Sequence, residues 1–253
     1  MDDATRRWLE LQRDLGGDEV ILDSAVSRRR PPEPESVNEP AWRRGAPPIP
    51  GPGLSVGTET SGLLDPVPAW GSLDEIAAIV RECRKCQLCE SRTHAVPGEG
   101  NPRARLMLIG EGPGESEDQS GRPFVGRAGE LLDRILASVD MPRGDTFIAN
   151  VVKCRPPRNR VPLPEERDAC LPYLRRQIEL IRPAVLLALG GTAAEALLGV
   201  KRPLAELRLK VHRWNGIPLL VTYHPAALLR NPNWKRPAWD DIRIARQLVD
   251  SGT

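Results

Sequence analysis

At 253 residues and 40% hydrophobic content, the chain can bury a core as one large or two small domains. Its formal charge of +2 hides an asymmetry: residues 1–70 carry 8 Lys+Arg against 12 Asp+Glu, net −4, which leaves 28 against 22, net +6, for residues 71–253. No charged segment followed by an apolar stretch opens the chain and no apolar run is long enough to span a bilayer. The expectation is therefore a protein of the reducing cytoplasm whose basic portion suits a polyanionic partner.

In chain order, Trp8, Leu11 and Leu15 recur at helical spacing before Gly16-Gly17, which predicts a short amphipathic helix over about 4–15, with docking on the folded domain, docking on a protein partner and fraying all open. Residues 31–70 hold ten of the 26 prolines and five glycines without a periodic apolar pattern. Such a stretch cannot bury enough surface to fold, so residues 1–70 are expected to be a mostly disordered extension and residues 71–253 the folded domain. From Ser72, SLDEIAAIVREC predicts a short helix that delivers Cys83 and Cys86. The apolar run Arg105–Ile109 stops abruptly at Gly110-Glu-Gly-Pro-Gly114, a strand entering a tight loop. A helix follows at about 126–138, then a strand at Thr146–Ala149, a helix over 165–181 and a continuous apolar strand at Ala184–Leu189. Gly190-Gly191-Thr192 opens the next helix, the strand Pro218–Thr222 runs into Tyr223-His224-Pro225, and a C-terminal helix closes the chain. Strands alternating with helices predict an α/β fold with a parallel sheet covered on both faces. Such sheets place ligands at the carboxyl ends of their strands, where the GEGPG loop, Asn150 and His224 should converge.

Four of the five cysteines form two clusters, Cys83-x-x-Cys86 and Cys154 with Cys170, the latter on the predicted helix over 165–181. A reducing compartment disfavours disulfides, so the reading is a shared metal site, with zinc and an iron–sulfur cluster both open on spacing alone. Cys89 is the spare, a small apolar filler or a substitute ligand. The glycine loop lacks the G-x-G-x-x-G spacing and no G-K-[ST] follows it, so dinucleotide and P-loop readings are weak.

Taken together, CRKC, GEGNP, GEGPGESED, GRPFVGRAG, NVVKCRPPRNR and HPAALLRNP, in that order over about 180 residues from Cys83 onward, resemble the family 4 uracil-DNA glycosylases, the iron–sulfur branch of their superfamily. The resemblance implies a three-layer α/β/α sandwich around a four-stranded, mainly parallel sheet. It also implies a [4Fe-4S] cluster on Cys83, Cys86, Cys154 and Cys170, and a monomer that removes uracil from single- or double-stranded DNA to leave an abasic site. Cys89 stands where the family often has a bulky apolar residue and is left outside the ligand set. An enzyme that acts on a base must extrude the nucleotide, hold the base and stabilise the charge that develops on it. Phe124 is expected to stack on uracil, Asn150 to read its edge, and His224 to hydrogen-bond O2 as negative charge accumulates there. Glu111 is expected in a supporting role on the sugar side, and Glu117 as a wall against the 5-methyl of thymine. Leu228 and Leu229, consecutive apolar residues in an expected loop, are candidates for a wedge between base steps. Arg230 is expected to meet a phosphate, and Arg155, Arg158 and Arg160 form a second basic cluster. A basic, histidine-containing insertion between Cys154 and Cys170, which marks covalent DNA-trapping relatives, is missing, so ordinary turnover is expected. A non-catalytic iron–sulfur DNA-binding module is the alternative, which the set of Asn150, Phe124 and His224 argues against.

Overall fold

The computed structural model describes residues 40–49, 59–60 and 68–252. The short helix expected over 4–15 lies outside the described residues.

Seven strands form one sheet: β1 (Glu59–Thr60), β2 (Glu99–Gly100), β3 (Leu106–Gly110), β4 (Phe147–Asn150), β5 (Val185–Leu189), β6 (His212–Trp214) and β7 (Ile217–Thr222), in the order β1-β6-β7-β5-β3-β4-β2. The expected four parallel strands are its centre: β3 pairs in parallel with β4 and β5, and β5 with β7. The count of four is corrected by the edges, where β2 and β6 add antiparallel pairs and β1 extends β6. These edge strands are two or three residues long, too short to show an alternating pattern in sequence.

Nine α-helices and four single-turn 3-10 helices complete the described fold, the α-helices being α1 (Leu73–Glu82), α2 (Leu88–Ser91), α3 (Glu115–Ser120), α4 (Arg127–Ser138), α5 (Pro164–Ile181), α6 (Gly191–Leu198), α7 (Leu204–Leu207), α8 (Pro225–Arg230) and α9 (Lys235–Ser251). The central strands are apolar without a break because each face is covered. Met107, Ile109, Leu186 and Val221 pack with Val80 of α1, Leu174 and Ile178 of α5 and Leu197 of α6. Leu106, Leu108, Ile148 and Leu220 pack on the other face with Leu132 and Ile135 of α4 and Ile242 and Leu248 of α9. The result is the three-layer sandwich.

The expectation of a structureless stretch over 31–70 needs correction at 40–49. Trp42 is buried against α9, and the Arg243 guanidinium donates to the carbonyls of Trp42 at 2.6 Å, of Gly45 at 3.2 Å and of Arg44. One indole and three backbone acceptors dock this arm, a device that leaves no apolar period for composition to reveal.

Candidate active site

The carboxyl ends of β3, β4, β5 and β7 open into a cavity of about 480 Å³ lined by Glu111, Phe124, Asn150, Gly190 and His224 among others. Gly110 ends β3 beneath it. A Cβ there would lie 2.3 Å from Asn150 Oδ1 and 2.7 Å from the Phe124 ring, so the glycine is a consequence of how closely the two side chains approach the strand. Asn150 ends β4, fully buried, and its Oδ1 has no hydrogen-bond partner.

Phe124 adopts a left-handed backbone conformation, φ 51°, costly for a residue with a bulky side chain. Arg143 holds it there. Its guanidinium donates to the carbonyls of Phe124, at 3.1 Å, and of Pro123, and is itself gripped by Glu99 at 2.6 Å and Asp133 at 3.2 Å. Gly129 at the start of α4 allows the approach, since a Cβ would stand 1.9 Å from the Phe124 carbonyl oxygen. The Phe124 ring lies 5.5 Å from the His224 imidazole, tilted by 32°.

His224 caps α8. Its Nδ1 accepts the Ala226 backbone N–H at 3.2 Å, which leaves the ring proton on Nε2. Burial, with the Arg230 guanidinium adding to it and Glu117 opposing, pushes the imidazole down to about 4, so it is neutral at physiological pH. Glu117 is more than the acid of an exposed run. Its carboxylate accepts three backbone N–H groups, from Gly114 at 3.0 Å, Val125 at 2.8 Å and Gly126 at 2.9 Å, and so staples the glycine loop to the segment that carries Phe124. Glu111 lies on the cavity wall, one carboxylate oxygen held by the Thr192 hydroxyl at 2.5 Å.

The expected DNA-handling set divides. HPAALLRNP is a helix where a loop was expected, begun by His224 as cap and Pro225 in its first turn, a start signal present in the sequence. Leu228 is consequently core, buried on the α4/α9 face, which removes it as a wedge, and Leu229 packs half-buried beside it. Arg160 is committed to Glu166 by two bonds of 2.7 and 2.8 Å, and Arg155 donates to Asn159 at 2.8 Å. Arg158, exposed on its loop, and Arg230, on the cavity rim, make no ion pair among the described residues.

All five cysteines line a second cavity, roofed by α1 and α5. Donors distinguish four of them. Tyr173 Oη donates to Cys83 Sγ at 3.3 Å, Arg92 Nη1 to Cys154 Sγ at 3.0 Å, the Lys153 backbone N–H to Cys170 Sγ at 3.4 Å, and the Leu88 backbone N–H holds Cys86. Cys89, which lines the same cavity, receives no such bond among the described residues. Among those residues no group of three or more His, Cys, Asp or Glu side chains is gathered closely enough to hold a single ion. Sequence reasoning missed Arg92, Arg143, Tyr173 and Lys153, each of which acts through a partner remote in the chain.

Comparison with known proteins agrees with this geometry. The family model described as Uracil DNA glycosylase superfamily matches residues 97–243. The Type-4 uracil-DNA glycosylase of Saccharolobus solfataricus is 47% identical over 189 residues, 71% of this chain and 88% of the relative. That of Thermotoga maritima is 44% identical over 181 residues, 70% of this chain and 94% of the relative. The Type-5 uracil-DNA glycosylase of Thermus thermophilus is more distant, 34% identical over 149 residues, 51% of this chain and 68% of the relative. With the α/β/α sandwich, the chain therefore belongs to the uracil-DNA glycosylase superfamily, among its type-4 members.

Proposed function

We propose that the cavity at the strand ends is where this DNA repair glycosylase hydrolyses the N-glycosidic bond of deoxyuridine, and that Asn150 selects the base. The observation that carries this reading is the buried Oδ1 of Asn150 without a partner. A polar atom sealed in a fold is normally satisfied, and an open acceptor there awaits a donor from the substrate. Uracil supplies one: its N3–H meets Oδ1 while its O4 accepts from Nδ2. Cytosine presents the reversed pair and would leave buried groups opposed. Phe124 stacks on the extruded ring. Glu117, fixed by three backbone donors, is the wall that the 5-methyl of thymine would strike.

His224 acts as the donor to O2. Because Nδ1 is occupied by Ala226, the neutral ring offers Nε2–H, aimed where charge develops. As the C1′–N1 bond breaks, its electron pair leaves with uracil and the resulting anion is held at O2. Glu111, one oxygen tied to Thr192, keeps the other for the water that adds to the cationic sugar and releases a proton to solvent. Arg230 and Arg158 take phosphates, while Arg155 and Arg160 shape the loop between them.

The four thiols that receive donors line one cavity and are the residues that would hold a [4Fe-4S] cluster. Bound on Cys83, Cys86, Cys154 and Cys170, it supplies an anchor joining the end of α1, the loop after β4 and α5. Residues 71–253 act as the catalytic unit, monomeric and cytoplasmic, and the extension over residues 1–70 is where a protein partner would bind. No helix among the described residues is long and apolar enough to cross a membrane.

Single-turnover base release from matched oligonucleotides containing one uracil or one thymine tests the reading. The wild type should release uracil alone, and His224→Ala should slow release by about 10²–10³-fold with DNA binding retained. Equal rates for the two proteins would remove His224 from the mechanism.

A further inference from the structure

Extruding a nucleotide requires something apolar to occupy the space beside the opened stack, and on α8 Leu228 is fully buried and Leu229 half-buried against the core. Across the cavity mouth, Val161 exposes 60% of its surface while lining the mouth itself, and Leu163 follows two residues later at 41%. We propose that Val161, backed by Leu163, is the wedge that holds the uridine out of the duplex. This assignment rests on the reading of the cavity as the uracil pocket.

Isolated apolar residues on a surface need no explanation. This pair differs in how it is presented. Pro156, Pro157, Pro162 and Pro164 fix the backbone on either side. Arg158 and Asn159 are both left-handed, φ 56° and 55°, a conformation that their surroundings must impose. Those surroundings are the Arg155–Asn159 bond, the bidentate Arg160–Glu166 pair and the anchorage of the loop at Cys154. A loop so fixed loses little further freedom on binding, which suits a part that must push against stacked bases. The charges flanking it identify the occupant. Arg158, exposed three residues before Val161, and Arg230, which lines the same cavity, add cations to an apolar edge, the combination suited to a DNA strand with its phosphates beside sugar and base.

The test uses the full, cluster-loaded protein and uracil placed in duplex or in single-stranded DNA. Val161→Ser should slow single-turnover release from the duplex roughly tenfold, leave the single strand unchanged, and retain the visible absorption of the wild type. Val161→Leu should restore the duplex rate, and a 2-aminopurine beside the uracil should brighten less with Val161→Ser than with either apolar side chain. Equal slowing on both substrates, or none on either, overturns the wedge. Asn150→Ala separates the two levels. If uracil selectivity survives in it, the pocket reading fails and the wedge with it; if selectivity is lost while Val161→Ser shows no duplex-specific effect, the wedge alone fails.

Discussion

Asn150 and Cys154 stand four residues apart on the segment that leaves β4, yet the sites they belong to are finished to different degrees. In the cysteine cavity an N–H or O–H reaches each of four sulfurs, so the donors are already in place. In the cavity at the strand ends the buried Oδ1 of Asn150 has no partner, and the Nδ1 of His224 is taken up by Ala226 while its Nε2–H makes no hydrogen bond among the described residues. Groups that hold a structure together are satisfied within it, whereas groups that act on a substrate are completed by the substrate. Lys153 lies between the two. Its fully buried amine donates to the Asn150 carbonyl at 3.0 Å and to Gln177 Oε1 at 2.8 Å, and Gln177 Nε2 donates in turn to the Pro97 carbonyl at 2.8 Å.

Removing the link should have the largest effect on that contrast. Gln177→Leu strands a buried amine and a buried carbonyl together, so thermal unfolding should show a loss of about 1–3 kcal/mol, with uracil release weakened as the end of β4 loosens. An unchanged melting temperature would mean that the clamp contributes nothing.

The pH dependence of the pocket should be smaller. The unfolded imidazole of His224 titrates near its ordinary 6.5 and the folded one at about 4. As pH falls below 6.5 the unfolded chain takes up a proton that the native state refuses, so the contribution of neutral His224 is whole above 6.5 and fades as pH falls through 4. Allowing for the opening of the ring to the cavity, the loss should be about 1 kcal/mol, visible as a slope in denaturant titrations that His224→Gln abolishes. Release of uracil should show no His224-dependent fall between pH 8 and 6.

On the satisfied side, Arg92→Gln removes the donor to Cys154 and should cost the least stability. Its mark should be a more negative reduction potential of the proposed cluster, since a cation beside an anionic centre would favour the reduced form. A potential equal to that of the wild type would show that the Arg92–Cys154 bond does not reach the metal.

Much of this was legible in the chain. The four central strands declare themselves as unbroken apolar runs because both faces are covered, and the rule that ligands gather at their carboxyl ends brings Asn150 and His224 together with the GEGPG loop. The errors have local causes. Pro225 after a capping residue marks a helix start, and reading it would have placed Leu228 inward. Glu117 is no error but an addition: it takes the Gly114 N–H at the spacing of the acidic half of a capping box, and its reach to Val125 and Gly126 no spacing encodes. Arg160 faces Glu166 only once the loop has turned through two left-handed residues, so a basic cluster in sequence becomes two ion pairs, Arg160 with Glu166 and Arg155 with Glu115, and one exposed cation, with Arg155 also bracing the loop through Asn159. The Trp42 arm is bound through carbonyls, which carry no sequence signature.

The most direct test of the central claim, that the open acceptor of Asn150 reads uracil, is single-turnover release from oligonucleotides that carry uracil or 3-methyluracil at the same position. The methyl group removes the N3–H donor and occupies the space in front of Oδ1. Release of uracil with 3-methyluracil retained is the predicted result, and comparable release of both bases would contradict the account.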